Sequence, residues 1–424
     1  MDVPSLSLSI AFSTLLLAGL AARLWLANRQ ARHVWTHRNR VPEAFAATIP
    51  PEAHRKAAAY TIARLRFGIL EAALEAALLL GWTLLGGLEA LNQALLSWIG
   101  PGMLQQLALL GSFALIGAVL SLPLGWWSTF RIEARFGFNR MTLGLWLADL
   151  LKGTVVGAII GLPIAALVLW LMGSAGQWWW LWAWAVWMAF NLLLLVLYPT
   201  LIAPLFNRFE PLTDETVKAR VEALMQRCGF AAKGLFVMDG SRRSAHANAY
   251  FTGFGAAKRV VFFDTLLQQL TPAEVDAVLA HELGHYKRRH ILKRLVLMFA
   301  LSLSGFALLG WLSGQAWFYT GLGVRPSLEA PNDALALILF MLAMPVATYF
   351  LSPLMASLSR QHEFEADAYA SEKTDRHDLA SALLKLYQDN ASTLTPDPLY
   401  ARFYYSHPPA SERLARLLHT PFPA

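Results

Sequence analysis

Apolar residues in this chain gather into long runs instead of short alternating ones. Seven runs, at 5–27, 67–91, 104–127, 153–174, 178–200, 291–313 and 334–358, come near the roughly 20 residues a helix needs to cross a bilayer. The first is expected to remain as a membrane helix, because Met1 to Ser5 carries Asp2 and lacks the Lys or Arg of a cleaved leader. Pro163 and Pro345 fall inside runs and are expected to kink them. Glu71 and Glu75, in EAALEAALLL, share a helix face. A charged face turned to lipid is costly, so this one should look at protein or water. The polar stretches divide the chain into 1–204 (five membrane helices and their loops), 205–290 (a polar unit), 291–358 (two further membrane helices) and 359–424 (a charged, helical segment).

Basic residues fall in alternate loops. Arg29, Arg32, Arg38, Arg40, Arg55 and Lys56 follow the first run, Arg131, Arg135 and Arg140 the third, and KRRHILKR ends the polar unit after the fifth. The intervening ALLSWIGPGM and MGSAGQ carry no base, and the last such loop has only Arg325. Positive loops stay cytoplasmic, which puts the N-terminus outside and both polar segments in the cytoplasm. Trp178, Trp179 and Trp180 then lie at an outer end, where an aromatic belt belongs. The composition agrees: 56% of residues are hydrophobic and only 15% charged, against about 25% charged in soluble proteins. The formal charge of +7 is accounted for by these loops, so no nucleic-acid partner is expected. A single cysteine, Cys228, excludes an internal disulfide and cysteine-rich metal sites; it reads as a small buried hydrophobe.

The chemistry sits in TPAEVDAVLAHELGHYKRRH. Thr271, Pro272 and Glu274 form a helix start with cap, first-turn proline and capping-box glutamate. On that helix His281 and His285 are one turn apart on one face, and Glu282 is rotated about 100° from His281. Two imidazoles can thus reach one ion, while Glu282 stands beside it as a general base for a metal-activated water. His290 falls off that face, next to a basic cluster, and reads as interfacial. A catalytic zinc needs a third protein ligand and one open position. SRQHEFEADAYA offers Glu363 and Asp367 on one helical face, one able to bind metal and the other to accept a hydrogen bond from a ligand histidine. Alone, this stretch reads as a solvated acidic helix face; an HExxH helix on the same side of the membrane favours metal binding.

Beyond these residues, the blocks IEARFGFNRMTL, SRRSAHANAYFTGFG, KRVVFFDTLL, HELGH, SRQHEFEADAYA and YYSHPPASERL occur in order over nearly the whole chain. Together they resemble the type I CAAX prenyl endopeptidase family of integral-membrane zinc metalloproteases. The resemblance implies an all-α polytopic fold of seven transmembrane helices around a large chamber, with a cytoplasmic gluzincin-like α+β metalloprotease unit. It implies one Zn²⁺ per chain on His281, His285 and Glu363, with Asp367 behind a ligand histidine. It makes Glu282 and His407 catalytic, and Asn248, Ala249 and Arg413 substrate-binding. The implied partners are a peptide or protein substrate and the bilayer. Activity would be CAAX-type processing or membrane-protein quality control. The shorter heat-shock membrane proteases share HExxH but not seven spans. A non-proteolytic binding or transport protein with a structural metal is the alternative from another class. HTPFPA at the end shows no endoplasmic-reticulum retrieval signal. With abundant Ala, Leu and Arg, the chain is expected to be a bacterial inner-membrane protein, whose substrates need not be prenylated.

Overall fold

The structure, a computed structural model, describes residues 2–230, 234–252, 259–328 and 330–419. Of the family-like blocks, residues 253–255 and Lys258 lie outside the described residues, as does 420–424.

The apolar runs become helices, and those built on 5–27 and 153–174 extend well beyond their runs. In order these are α1 (Val3–His37), α2 (Pro51–Trp82), α3 (Gly87–Ile99), α4 (Met103–Trp127), α5 (Leu143–Ser174) and α6 (Trp179–Leu197), then a short α7 (Ala203–Phe206). Six helical segments are long and apolar enough to cross a membrane, or seven when the bent pair α2–α3 is one span. The run at 67–91, expected as one helix, is broken: α2 and α3 meet at a 48° bend. The cause is local. Gly86 adopts a left-handed φ of 81°, and a Cβ on Gly87 would lie 2.6 Å from the carbonyl oxygen of Gly81. Glycine allows both without strain, so an apolar pattern passes straight through a backbone turn. α5 runs through Pro163.

The polar unit follows. β1 (Phe209–Pro211), α8 (Glu215–Arg227), β2 (Gly234–Met238), β3 (Ala249–Thr252) and β4 (Arg259–Phe263) build a four-stranded sheet of order β1-β2-β4-β3 flanked by a helix. β2 and β4 run parallel; β1 and β3 pair antiparallel to their neighbours, so β3 is an edge strand. The short α9 (Asp264–Gln269) leads into α10 (Pro272–Lys287), the HExxH helix. The expected capping box is present: Thr271 N–H donates to Glu274 Oε2 (2.7 Å), and Glu274 N–H to Thr271 Oγ1 (3.4 Å).

α11 (His290–Leu312), the short α12 (Ala316–Gly321) and α13 (Asp333–Thr348) return through the apolar layer. α13 continues past Pro345, and a single 3₁₀ turn at Tyr349–Leu351 joins it to α14 (Ser352–Lys373). α14 therefore carries Glu363 and Asp367 on a direct extension of a membrane helix. α15 (Arg376–Asp389), α16 (Pro398–Tyr404) and α17 (Ala410–His419) complete the chain.

Beside two small clusters, two large apolar cores form among the described residues. One joins the sheet to α10, α15 and α17 through Val260, Phe262, Leu279, Leu283, Leu383 and Leu417. The other joins the membrane helices through Phe12, Leu88, Leu109, Leu169, Leu335 and Ile338. A cavity of about 1130 Å³ runs from Arg23, Glu71 and Glu75 on α1 and α2 to Asn248 and His407. Both glutamates thus face a polar space, and Glu75 also pairs with Arg23 at 3.0 Å.

Candidate metal centre

Close packing of α10 on α14 builds the centre. A Cβ on Gly284 would lie 2.9 Å from Ala366 Cα, so the glycine in HELGH lets the two backbones touch. That contact brings Glu363 opposite the two histidines. His281 Nε2 is 3.3 Å from His285 Nε2. Glu363 Oε2 lies 3.4 Å from His281 Nε2, and its Oε1 lies 3.4 Å from His285 Nε2. One ligand atom from each of these three residues falls within 4.8 Å of the others.

The arrangement fits zinc on observable grounds. A tetrahedral site with bonds of about 2.0–2.1 Å has ligand–ligand edges of about 3.3–3.4 Å. Glu363 Oε2 is buried with no hydrogen bond, as a metal-binding oxygen would be. The tautomers also agree. Asp367 Oδ1 lies 2.8 Å from His281 Nδ1. A carboxylate can only accept, so Nδ1 carries the proton and the Nε2 lone pair faces the centre.

His285 reaches a carboxylate through an intermediary that spacing alone did not identify. Its Nδ1 is 2.9 Å from His290 Nδ1, and His290 Nε2 is 3.0 Å from Glu365 Oε2. Glu365 accepts from His290 Nε2–H, so His290 Nδ1 accepts from His285 Nδ1–H, and the His285 Nε2 lone pair also points inward. His290 is therefore buried in this chain of hydrogen bonds, and not interfacial. It stacks on His362 with ring centroids 3.9 Å apart. The helix breaks just before it: Arg289 takes a left-handed φ of 57°, which turns His290 back toward α10. Lone basic or histidine residues after HELGH carry no sequence signal for this turn.

Arg413, from α17, donates its Nε–H to Asp367 Oδ2 at 2.8 Å, and its Nη1 lies 4.0 Å from Glu363 Oε2. It is 5% exposed, so in this geometry the guanidinium serves the carboxylates. Their charge outweighs its burial and raises its pKa further. His407 Nε2 is 3.4 Å from Glu363 Oε1, on the exposed side of the centre, and its Nδ1 is 3.0 Å from Ser406 Oγ. Glu282 makes no hydrogen bond to any described residue, and burial raises its carboxyl pKa. Burial pulls His281 down, but bonds to Asp367 and Glu363 outweigh it and raise its pKa to about 9, so metal binding at Nε2 would release a proton. Burial and the neighbouring His281 push His285 down to about 3. Asn248 lines the cavity and directly precedes the edge strand, which begins at Ala249; its O accepts from Phe263 N–H at 3.0 Å. The IEARFGFNRMTL block docks alongside, with Asn139 bridged to Ser244 and Arg140 N–H donating to Arg243 O at 3.1 Å.

Comparison with known proteins agrees. Residues 30–208 match the family model described as CAAX prenyl protease N-terminal, five membrane helices, and residues 211–420 match Peptidase family M48. The chain is 32% identical to CAAX prenyl protease 1 homolog of Homo sapiens, over 96% of this chain and 95% of that one. It is 37% identical to the homolog of Arabidopsis thaliana, covering 74% and 73%. With CAAX prenyl protease 1 of Saccharomyces cerevisiae it shares 35%, covering 74% and 72%. The crystal structure of S. mikatae Ste24p superposes with a TM-score of 0.90 at 29% identity, over 97% of this chain and 99% of that one. These relatives are plant, fungal and animal, so the bacterial source expected from composition finds no support in them. Abundant Ala and Leu suit any packed membrane bundle, and so they do not identify a source.

Proposed function

The chain belongs to the CAAX prenyl protease 1 family of M48 zinc metalloproteases, and on that premise we propose that it cleaves extended peptide segments of CAAX-type proteins within its polar cavity. The observation that carries the reading is the convergence of His281, His285 and Glu363 beside a carboxylate, Glu282, to which no described residue hydrogen-bonds. Those three residues would hold one zinc per chain, and Asp367 and Arg413 fix the carboxylate side of the centre. When bound there, zinc would supply an acidified water, of pKa about 7, and Lewis-acid polarisation of the scissile carbonyl. Glu282 takes the proton of the attacking water and delivers it to the leaving amine. His407 donates to the oxyanion from the exposed side. Asn248 and Ala249, at the start of edge strand β3, hold the substrate backbone in extended form.

Three converging ligand candidates among the described residues would leave one position of a four-coordinate zinc open, which favours catalysis over a closed structural metal. Quality control of membrane proteins is a second class of work for the same centre. The basic loops support a cytoplasmic zinc site and an external N-terminus. The seam between the family matches, from 208 to 211, supports a division near 205; membrane segment 291–358 and C-terminal segment 359–424 are proposed with it.

The test compares protein termini in membranes holding the wild-type chain with those holding Glu282→Gln. The variant is expected to retain zinc and to lose peptide hydrolysis by about 10²–10⁴-fold, the usual size of a general acid–base contribution. New termini that include C-terminally trimmed CAAX-type proteins should appear only with wild type. Identical termini in both membranes would end the proposal.

A further inference from the structure

A second cavity, of about 880 Å³, lies between α1 and α2 and is bordered by a different face of α1. The larger cavity is bordered by Arg23, Ala27 and Gln30 of that helix; this one is bordered by Trp25, Arg29, Arg32 and Thr36, a stripe at helical spacing. The stripe begins where the first apolar run ends, so it spans the change from hydrocarbon to headgroup depth. Trp25 is 56% exposed there, as a belt tryptophan is.

The groove is positively charged with an apolar floor. Its floor comes from Ile62, Leu65 and Ile69 of α2. The lining includes one carboxylate, Asp397, and that group is fully engaged. Its oxygens each accept from Arg29 Nε–H at 2.9 Å, and its Oδ1 also accepts from the backbone N–H groups of Leu399 and Tyr400. The guanidinium groups of Arg32 and Arg66 have no ion pair or hydrogen bond to any described residue. Two unpaired guanidiniums at the edge of a bilayer, over an apolar floor, match phosphate oxygens carried on acyl chains. A free phosphate ion would have no use for the floor.

We propose that this groove binds the phosphate headgroup of an anionic membrane lipid, with Arg32 and Arg66 on the phosphate and Ile62 and Ile69 against an acyl chain. The site is separate from the metal centre, and it stands or falls independently of the proteolytic reading.

The experiment is native mass spectrometry of the delipidated full chain in detergent, titrated with phosphatidylglycerol or with phosphatidylcholine. One phosphatidylglycerol should be retained under conditions where phosphatidylcholine is not. The double variant Arg32→Gln/Arg66→Gln should bind it about 30-fold more weakly, from roughly five-fold per basic residue near an anionic lipid. The charge-keeping Arg32→Lys/Arg66→Lys should stay within a few-fold of wild type, and both variants should hydrolyse peptide at the wild-type rate in detergent. Equal binding by the Gln variant, or equal retention of both lipids, would overturn the proposal. Displacement of the lipid by inorganic phosphate at matched concentration would reassign the groove to free phosphate and overturn it as well.

Discussion

At the scale of single residues, the legible part of the centre was the part set by helical spacing. His281, Glu282 and His285 follow from a period of 3.6 on a capped helix, and the three lie where that period puts them. His290 was illegible for a definite reason. Five positions after His285 on an unbroken helix, it would point about 140° away. The left-handed Arg289 breaks the helix and returns the imidazole to hydrogen-bond distance of His285. Its role can be tested apart from simple packing. His290→Ala removes the acceptor for His285 Nδ1–H and should weaken zinc affinity about 10–100-fold, as loss of such supporting partners does. His290→Asn, whose side-chain oxygen can accept in place of Nδ1, should recover most of that loss. Chelator competition reads the affinity directly. Equal weakening by Ala and Asn would show that the imidazole matters only as volume.

At the scale of elements, two devices hold α10 in place, and only one was visible beforehand. The capping box could be read from Thr271, Pro272 and Glu274 because its residues are local. The same Glu274 is also reached from α15, by Lys385 Nζ at 2.7 Å and Ser381 Oγ at 2.6 Å, contacts 111 and 107 residues away that no local pattern encodes. Burial opposes the charge on Glu274, but Lys385, Ser381 and Thr271 outweigh it and lower its pKa from 4.5. A depressed carboxylate contributes stability above its unfolded-state pKa and loses it as pH falls through the folded value. Thermal unfolding should therefore separate wild type from Glu274→Gln at pH 7, and the gap should shrink below about pH 4.5. A gap that stays constant to pH 3 would mean the glutamate acts only through shape. The second device is Gly284. Gly284→Ala places a methyl 2.9 Å from Ala366 Cα, against backbone that cannot turn aside. Overpacking of this kind costs about 1–3 kcal/mol. The larger effect is expected on zinc, because α10 and α14 carry different ligands and must separate. Zinc content equal to wild type at limiting metal would show that the helices slide without opening the centre.

At the scale of the whole molecule, apolar runs account for six candidate membrane spans, or seven when the bent α2–α3 pair is one, but not for the hollow between them. A cavity forms because two cores, one around the sheet and one among the membrane helices, are each complete without the space they face. Nothing in a hydrophobic run says which of its polar neighbours will border that space; Glu71 and Glu75 do so through the packing of α1 against α2. Side, in contrast, is argued from charge. The Arg-rich loops gather at the end of the molecule that holds the metal centre: Arg29 binds Asp397, and Arg140 N–H donates to Arg243 O. Arg325 sits with the opposite end, where its N–H donates to Glu89 Oε2 at 3.0 Å. Positive loops remain cytoplasmic, so the metal end is expected inside and the Arg325 end outside. Cysteine labelling tests this cleanly, because the single native cysteine, Cys228, is buried. Glu215→Cys lies on α8 beside the sheet, where the native side chain is 79% exposed. Leu328→Cys lies in the far loop, where the native residue is fully exposed. A membrane-impermeant maleimide should label Leu328→Cys in intact cells and Glu215→Cys only after permeabilisation. Labelling of Glu215→Cys in intact cells would place the metal centre outside, and the charge argument for a cytoplasmic protease would fail with it.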